Sequence, residues 1–195
     1  MTESARLLFF AGSTRQESYN RKLARNAYET ARKRGFEADL LELADYPMPI
    51  YDAGLEEREG PPENARRLRE TIRAYQGVFI ASPEYNASVT PLLKNTLDWM
   101  SRVRVGDEPP LQLFKTRVFA IGAASPGGFG GMRSLITLRQ ILSLGMGALV
   151  LPEQVVVANA GSAFGDNGQL TNERAVSMLD AAMQRLGDAA VRFRP

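Results

Sequence analysis

The residues best suited to chemistry lie in three short loops, each directly after an apolar run. The first is Gly12-Ser13-Thr14-Arg15-Gln16-Glu17-Ser18-Tyr19-Asn20, which crowds hydroxyls, a guanidinium and an amide in front of a helical segment. This is the composition of a phosphate socket. Unpaired N–H groups and partial positive charge at a helix N-terminus meet the anion, Ser13 and Ser18 add hydroxyl donors, and Arg15 adds charge-assisted bonds. The competing reading is that Ser18 only caps the helix and the rest is a solvated turn. The second loop is Ser82-Pro83-Glu84-Tyr85-Asn86-Ala87-Ser88-Val89-Thr90-Pro91. The third, Ser125-Pro126-Gly127-Gly128-Phe129-Gly130-Gly131, is the densest glycine cluster in the chain. Glycine lets backbone approach a flat ligand because no Cβ intervenes, although a flexible linker has similar composition.

The composition excludes several chemistries. With no cysteine and no histidine in 195 residues, there is no thiolate nucleophile, disulfide, Ser-His-Asp triad or histidine-carboxylate metal site. Redox or transfer chemistry must come from a cofactor or from carboxylates, and no metal site is expected. The net charge is +2, with 24 basic residues interleaved among 22 acidic ones, the pattern of a mixed solvated surface rather than a nucleic-acid interface. The run at residues 7–11 is too short for a signal-peptide core or a membrane span. The expectation is a cytoplasmic protein with neither nucleic-acid nor membrane partners.

The elements that must position these loops follow from periodicity. Strands are predicted at residues 6–11, 36–43, 77–82 and 117–123, with a fifth strand region at 147–151 and 154–158 broken by Pro152. Helices are predicted at 19–34, 62–75, 91–101, 132–144 and 171–190. Residues 44–54, with two prolines, read as an ordered loop carrying exposed aromatics. Strands alternating with helices imply right-handed crossovers and a parallel sheet covered on both sides. One α/β domain over residues 1–195 is expected: a flavodoxin-like three-layer sandwich, five-stranded and parallel, order 2-1-3-4-5, with helices on both faces. Ligands in such sheets sit beyond the carboxyl ends of the strands where the order reverses, and the three loops converge there. The first loop matches neither Gly-x-Gly-x-x-Gly nor the Walker pattern, which disfavours a dinucleotide fingerprint or a Walker loop and leaves a flavin mononucleotide as the natural guest.

The first two loops together resemble the NADPH-dependent FMN reductase family, which includes chromate-, quinone- and azo-dye-reducing members. Its Gly-Ser-x-Arg-x-x-Ser-x-Asn motif is met by Gly12, Ser13, Arg15, Ser18 and Asn20, and its Pro-Glu-Tyr-Asn motif by Pro83, Glu84, Tyr85 and Asn86. The match extends through Ser88, Pro91, Leu93, Lys94, Asn95, Asp98 and Trp99. A Ser-x-Gly-x-x-Gly-Gly-like segment is met by Ser125, Gly127, Gly130 and Gly131. The resemblance implies FMN held by Ser13, Thr14, Arg15, Ser18, Tyr19 and Asn20, by Pro83, Glu84, Tyr85 and Asn86, and by Ser125, Gly127, Gly128 and Gly130. NADPH or NADH would be the co-substrate, small molecules the electron acceptors, and no side chain a catalytic acid or base.

The resemblance also implies a homodimer or homotetramer. Trp99 and Met100, with Leu135, Leu138 and Leu142, are candidates for the pairing patch, against the alternative that they pack in their own core. Lys94, Asn95 and Asp98 read as structural, since residues four apart on a helix pair easily. The segment 46–52 resembles one near the family's active-site mouth. A flavin electron carrier of flavodoxin type, or a redox sensor with the same pocket, is the alternative function. A receiver-type signalling module is disfavoured because the first and third strands end in Phe10-Ala11-Gly12 and Ala81-Ser82-Pro83 rather than in acidic residues.

Overall fold

The structure is a computed structural model that describes residues 5–193. Five parallel strands form one sheet in the order β2-β1-β3-β4-β5: β1 (Arg6–Ala11), β2 (Glu37–Leu41), β3 (Gly77–Ala81), β4 (Val118–Ala124) and β5 (Leu149–Val157). Register is set by side-chain alternation. In β1, Leu7, Phe9 and Ala11 enter one core while Leu8 and Phe10 enter the other, so every strand residue after Arg6 is buried.

Helices cover both faces. The first core is closed by α1 (Tyr19–Lys33) and α8 (Glu173–Arg192), which contribute Leu23, Ala27, Leu179 and Met183. The second is closed by α3 (Glu63–Arg73), α4 (Pro91–Arg102) and α6 (Met132–Gln140), which contribute Leu68, Leu93, Leu97 and Leu135. Each helix buries one stripe against the sheet, which fixes where the strand-to-helix loops emerge.

Several boundaries differ from expectation for identifiable reasons. The predicted interruption of the fifth strand does not occur: β5 is continuous, and its pairing with β4 shifts between Phe119 and Ile121, which takes up Pro152. An edge strand tolerates proline at such an irregularity. A 3₁₀ turn (Leu43–Asp45) overlaps the start of the 44–54 segment, which leads into a helix, α2 (Ala53–Glu59), that sequence periodicity does not reveal because it buries no residue. Asp52 caps it by accepting the Leu55 N–H at 2.7 Å. Short helices α5 (Gln112–Lys115) and α7 (Ala160–Ala163) were likewise not predicted, and α6 passes into a π-helical turn (Ile141–Gly145). Among the described residues, no helix is long and apolar enough to cross a membrane.

Candidate functional site

At the carboxyl end of the sheet, a cleft of about 160 Å³ is lined by Ser13, Arg15, Ser18 and Tyr19 from the first loop, Pro83 to Tyr85 from the second, and Ser125 and Pro126 from the third. Its floor is where α1 begins. The first bond of that helix runs from the Lys22 N–H to the Ser18 carbonyl at 3.1 Å, so the N–H groups of Tyr19, Asn20 and Arg21 have no intrahelical acceptor. Ser18 holds the N-cap position, yet its side chain makes no capping bond, and no acidic residue occupies the first turn. Ser18, largely buried but lining the cleft, and the open N–H groups of the first turn therefore stand together, the donor set an anion needs. Arg15 is exposed, and its guanidinium donates to the Glu17 carbonyl at 3.3 Å.

Other motif residues also hold the loops together. Asn20 is buried and makes a two-way clamp across 104 positions: its Nδ2 donates to the Ala124 carbonyl at 2.8 Å and its Oδ1 accepts the Ala124 N–H at 2.9 Å. The start of α1 is thereby tied to the end of β4, with one of the two Nδ2 hydrogens committed to the tie, and Asn20 also lines the cleft. Thr90, which sequence reasoning missed, donates to the Gly12 carbonyl at 2.8 Å and caps α4 by accepting the Leu93 N–H. Its signal was the Thr-Pro pair at a helix start.

The second loop is a tight turn. Tyr85 and Ser88 exchange N–H···O bonds at 2.9 and 3.0 Å, while Asn86 and Ala87 both take the left-handed conformation at φ of 50° and 64°. Two non-glycine residues in that region are a local cost maintained by the surrounding structure. The turn presents Tyr85 at 57% exposure beside the cleft and leaves Asn86 outside it. Glu84 lines the cleft, but its carboxylate accepts the Arg133 N–H at 3.1 Å and pairs with the Arg133 guanidinium.

In the third loop the glycines divide. A Cβ on Gly130, at φ +59°, would lie 2.6 Å from Val156 Cγ1 and 2.8 Å from the Ala158 nitrogen; on Gly131 it would lie 2.6 Å from the Ala123 Cβ. These two glycines permit β4, β5 and the loop to pack, so Gly130 serves the fold. Gly127 and Gly128 have ordinary space around them and stand beyond the cleft lining, as does Thr14. The loop after β5 joins the site through the Ala160 N–H to Ser125 carbonyl bond at 3.0 Å, and Phe164 stacks on Tyr19 with centroids 6.0 Å apart. Sequence reasoning did not single out either contact.

The expected pairing patch is corrected. Trp99, Met100, Leu135, Leu138 and Leu142 are all buried within their own chain. Trp99 packs edge-on to Tyr51 at 5.0 Å and donates from Nε1 to the Pro49 carbonyl at 2.8 Å. Asn95 secures the same segment, accepting the Tyr51 N–H at 2.7 Å and donating to Pro49, while Lys94 pairs with Asp98. Beside it, the Arg102 bond holds the Glu56 carboxyl below its ordinary range, and the bond to Glu56 raises the Tyr51 phenol. The 46–52 loop is thus fastened to α4.

A doubly wound sheet whose strand order reverses over an anion-ready helix start, flanked by a loop with an exposed aromatic, defines a nucleotide-cofactor protein of flavodoxin type. The chain belongs to the NADPH-dependent FMN reductase family, whose model matches residues 5–162. It is 36% identical over 176 residues to a quinone reductase of Pseudomonas putida, covering 89% of this chain and 88% of that one. It is 34% identical over 187 residues to an NAD(P)H-dependent FMN reductase of Pseudomonas aeruginosa, covering 95% of each. Among solved structures it is similar to the flavoenzyme NAD(P)H:(acceptor) oxidoreductase FerB of Paracoccus denitrificans, with a TM-score of 0.78, 25% identity and coverage of 97% and 98%. The chain is therefore an oxidoreductase of a family that uses FMN and NAD(P)H.

Proposed function

We propose that this cleft holds FMN with its phosphate at the start of α1, and that NAD(P)H reduces the flavin for delivery to small acceptors, quinones foremost. The observation that carries the reading is the uncapped Ser18 hydroxyl beside the free first-turn N–H groups, in one cleft with Pro83, Tyr85 and Ser125. Ser13, Arg15 and Ser18 bind the phosphate by side chain, and Tyr19 and Asn20 by backbone N–H. Pro83 to Tyr85 and the start of the 125–131 loop meet the ring system. At about 160 Å³ the cleft is smaller than sites that enclose a whole ligand, so it grips the cofactor along one edge and leaves a face open for exchange.

Bound FMN supplies hydride acceptance and donation at N5. The chain's own residues supply position: the turn at Tyr85 fixes the backbone beside the ring, and the Asn20 clamp keeps the 125–131 loop level with the phosphate end. With no histidine or cysteine in the sequence, protons come from solvent at the open face. Quinones lead because of the relatives at 34–37% identity that bear quinone or FMN reductase names; azo compounds, free flavin and metal oxyanions such as chromate follow as acceptors of the same two-electron chemistry. Dependence on NAD(P)H suits a cytoplasmic protein.

A homodimer or homotetramer is part of this reading, through a surface other than the one expected. Ile136 and Leu144 are 62% and 82% exposed on α6 and its π turn, and Leu144 lines an apolar groove of about 710 Å³ between α4 and α6. The deciding experiment is to load the purified protein with FMN and add NADPH anaerobically, then a quinone. Bleaching at catalytic rates followed by rapid reoxidation is expected. Failure to take up FMN would overturn the cofactor assignment, and slow bleaching with normal uptake would favour a carrier or sensor.

A further inference from the structure

Glu84 is placed to face a ligand, yet its side chain is only 8% exposed and is engaged by α6. Gly131, at the N-cap of α6, has no side chain to offer, and the first turn contains no acidic residue. The Glu84 carboxylate fills that role from another loop, accepting the Arg133 N–H at 3.1 Å while its second oxygen pairs with the Arg133 guanidinium. The guanidinium is half exposed and lies 5.3 Å from the centre of the Phe129 ring, so one ion pair joins the 82–91 and 125–131 loops beside the cleft. The capping bond alone needs only an acceptor, which a neutral amide provides. Charge on both partners therefore calls for a further reason.

We infer that the Glu84–Arg133 pair is a charge balance that sets the reduction potential of the flavin, each partner pulling with opposite sign. The inference rests on the FMN reading above. A reduced flavin at neutral pH carries one more negative charge than the oxidised ring, so a nearby uncompensated carboxylate disfavours reduction and an uncompensated guanidinium favours it. The carboxylate is shielded from water and the guanidinium partly so; screening is weak, and neither charge acts alone while the pair is intact. Other charged groups near the cleft are Arg15, which is exposed, and Glu17, whose carboxylate is engaged by Lys22.

The test is spectroelectrochemical titration of FMN-loaded protein for four variants, with thermal unfolding of each apo form. Glu84→Gln keeps the acceptor for the Arg133 N–H but leaves the guanidinium unbalanced. It should tighten reduced relative to oxidised FMN by about tenfold, equal to a rise of ~30 mV for a two-electron couple. Arg133→Gln should shift the ratio by a similar factor the other way, Arg133→Lys should stay near the parent, and the double Gln variant should return toward it. A merely structural tie moves unfolding temperatures without opposite-signed potentials. Shifts of the same sign, or unmoved potentials with normal FMN uptake, overturn this inference alone; no FMN uptake by the parent protein overturns it together with the cofactor reading.

Discussion

Replacing Gly130 with alanine tests whether the 125–131 loop is built as the structure describes. The new methyl would sit 2.6 Å from Val156 Cγ1 and 2.8 Å from the Ala158 nitrogen, the second a backbone atom that cannot turn aside. Overpacking of this kind costs about 1–3 kcal/mol. The left-handed φ of +59° adds roughly 1–2 kcal/mol for a residue with a Cβ. Reduced freedom of the unfolded chain returns about 0.4–1 kcal/mol. A net loss of about 1–4.5 kcal/mol follows, and in a chain of this size each kcal/mol moves the midpoint by roughly 2–4 °C. Thermal unfolding of the apo protein, which removes stabilisation by ligand, should show a fall of roughly 2–18 °C. The matched control is Gly128→Ala, whose Cβ would meet nothing within 4 Å and whose midpoint should hold steady. Equal midpoints for Gly130→Ala and the parent would refute the packing argument.

Asn20→Ala should strand the buried N–H and carbonyl of Ala124 and cost about 1–3 kcal/mol for each, measured by urea unfolding; a loss below ~1 kcal/mol would show that the clamp is dispensable. Burial, then the bond to Asp39, pushes the Tyr75 phenol up to about 12, which favours its neutral form in the fold. That contribution is complete below the unfolded value near 10 and is lost as pH climbs from 10 toward 12. Stability followed across this window should fall less steeply for Tyr75→Phe, and parallel curves would contradict the assignment. Replacing Ile136 and Leu144 together with lysine should leave the fold intact, both being exposed, and shift the oligomer toward monomer by light scattering. An unchanged mass would remove this surface from the assembly.

The central strands β1, β3 and β4 were legible because each is an apolar run closed by glycine or serine, and strands covered on both faces need nothing subtler. The helices α2, α5 and α7 were not, because four to seven residues with little or no buried stripe carry no period. Trp99 shows a second limit. Periodicity reveals that α4 has apolar faces but not what covers them, and Trp99 is covered by Tyr51, Leu55 and Ala65, far from it in sequence. Asn20 and Gly130 show a third. Whether a polar or small residue at a cofactor loop meets ligand or chain depends on Ala124 and on Val156, and no local pattern encodes those contacts.

The division of labour in the cleft follows from the same contacts. Asn20, Glu84 and Thr90, among the most distinctive side chains of the first two loops, direct their hydrogen bonds to other loops, respectively to β4, α6 and the carbonyl of Gly12. Asn20 and Glu84 line the cleft while tied in this way, and Ser18, whose side chain makes no capping bond, lines it with Arg15. The three ties fix the spacing of the loops around the cleft. Substitutions at the ties therefore disturb two elements at once, whereas loss of the Ser18 hydroxyl removes no capping bond within the chain.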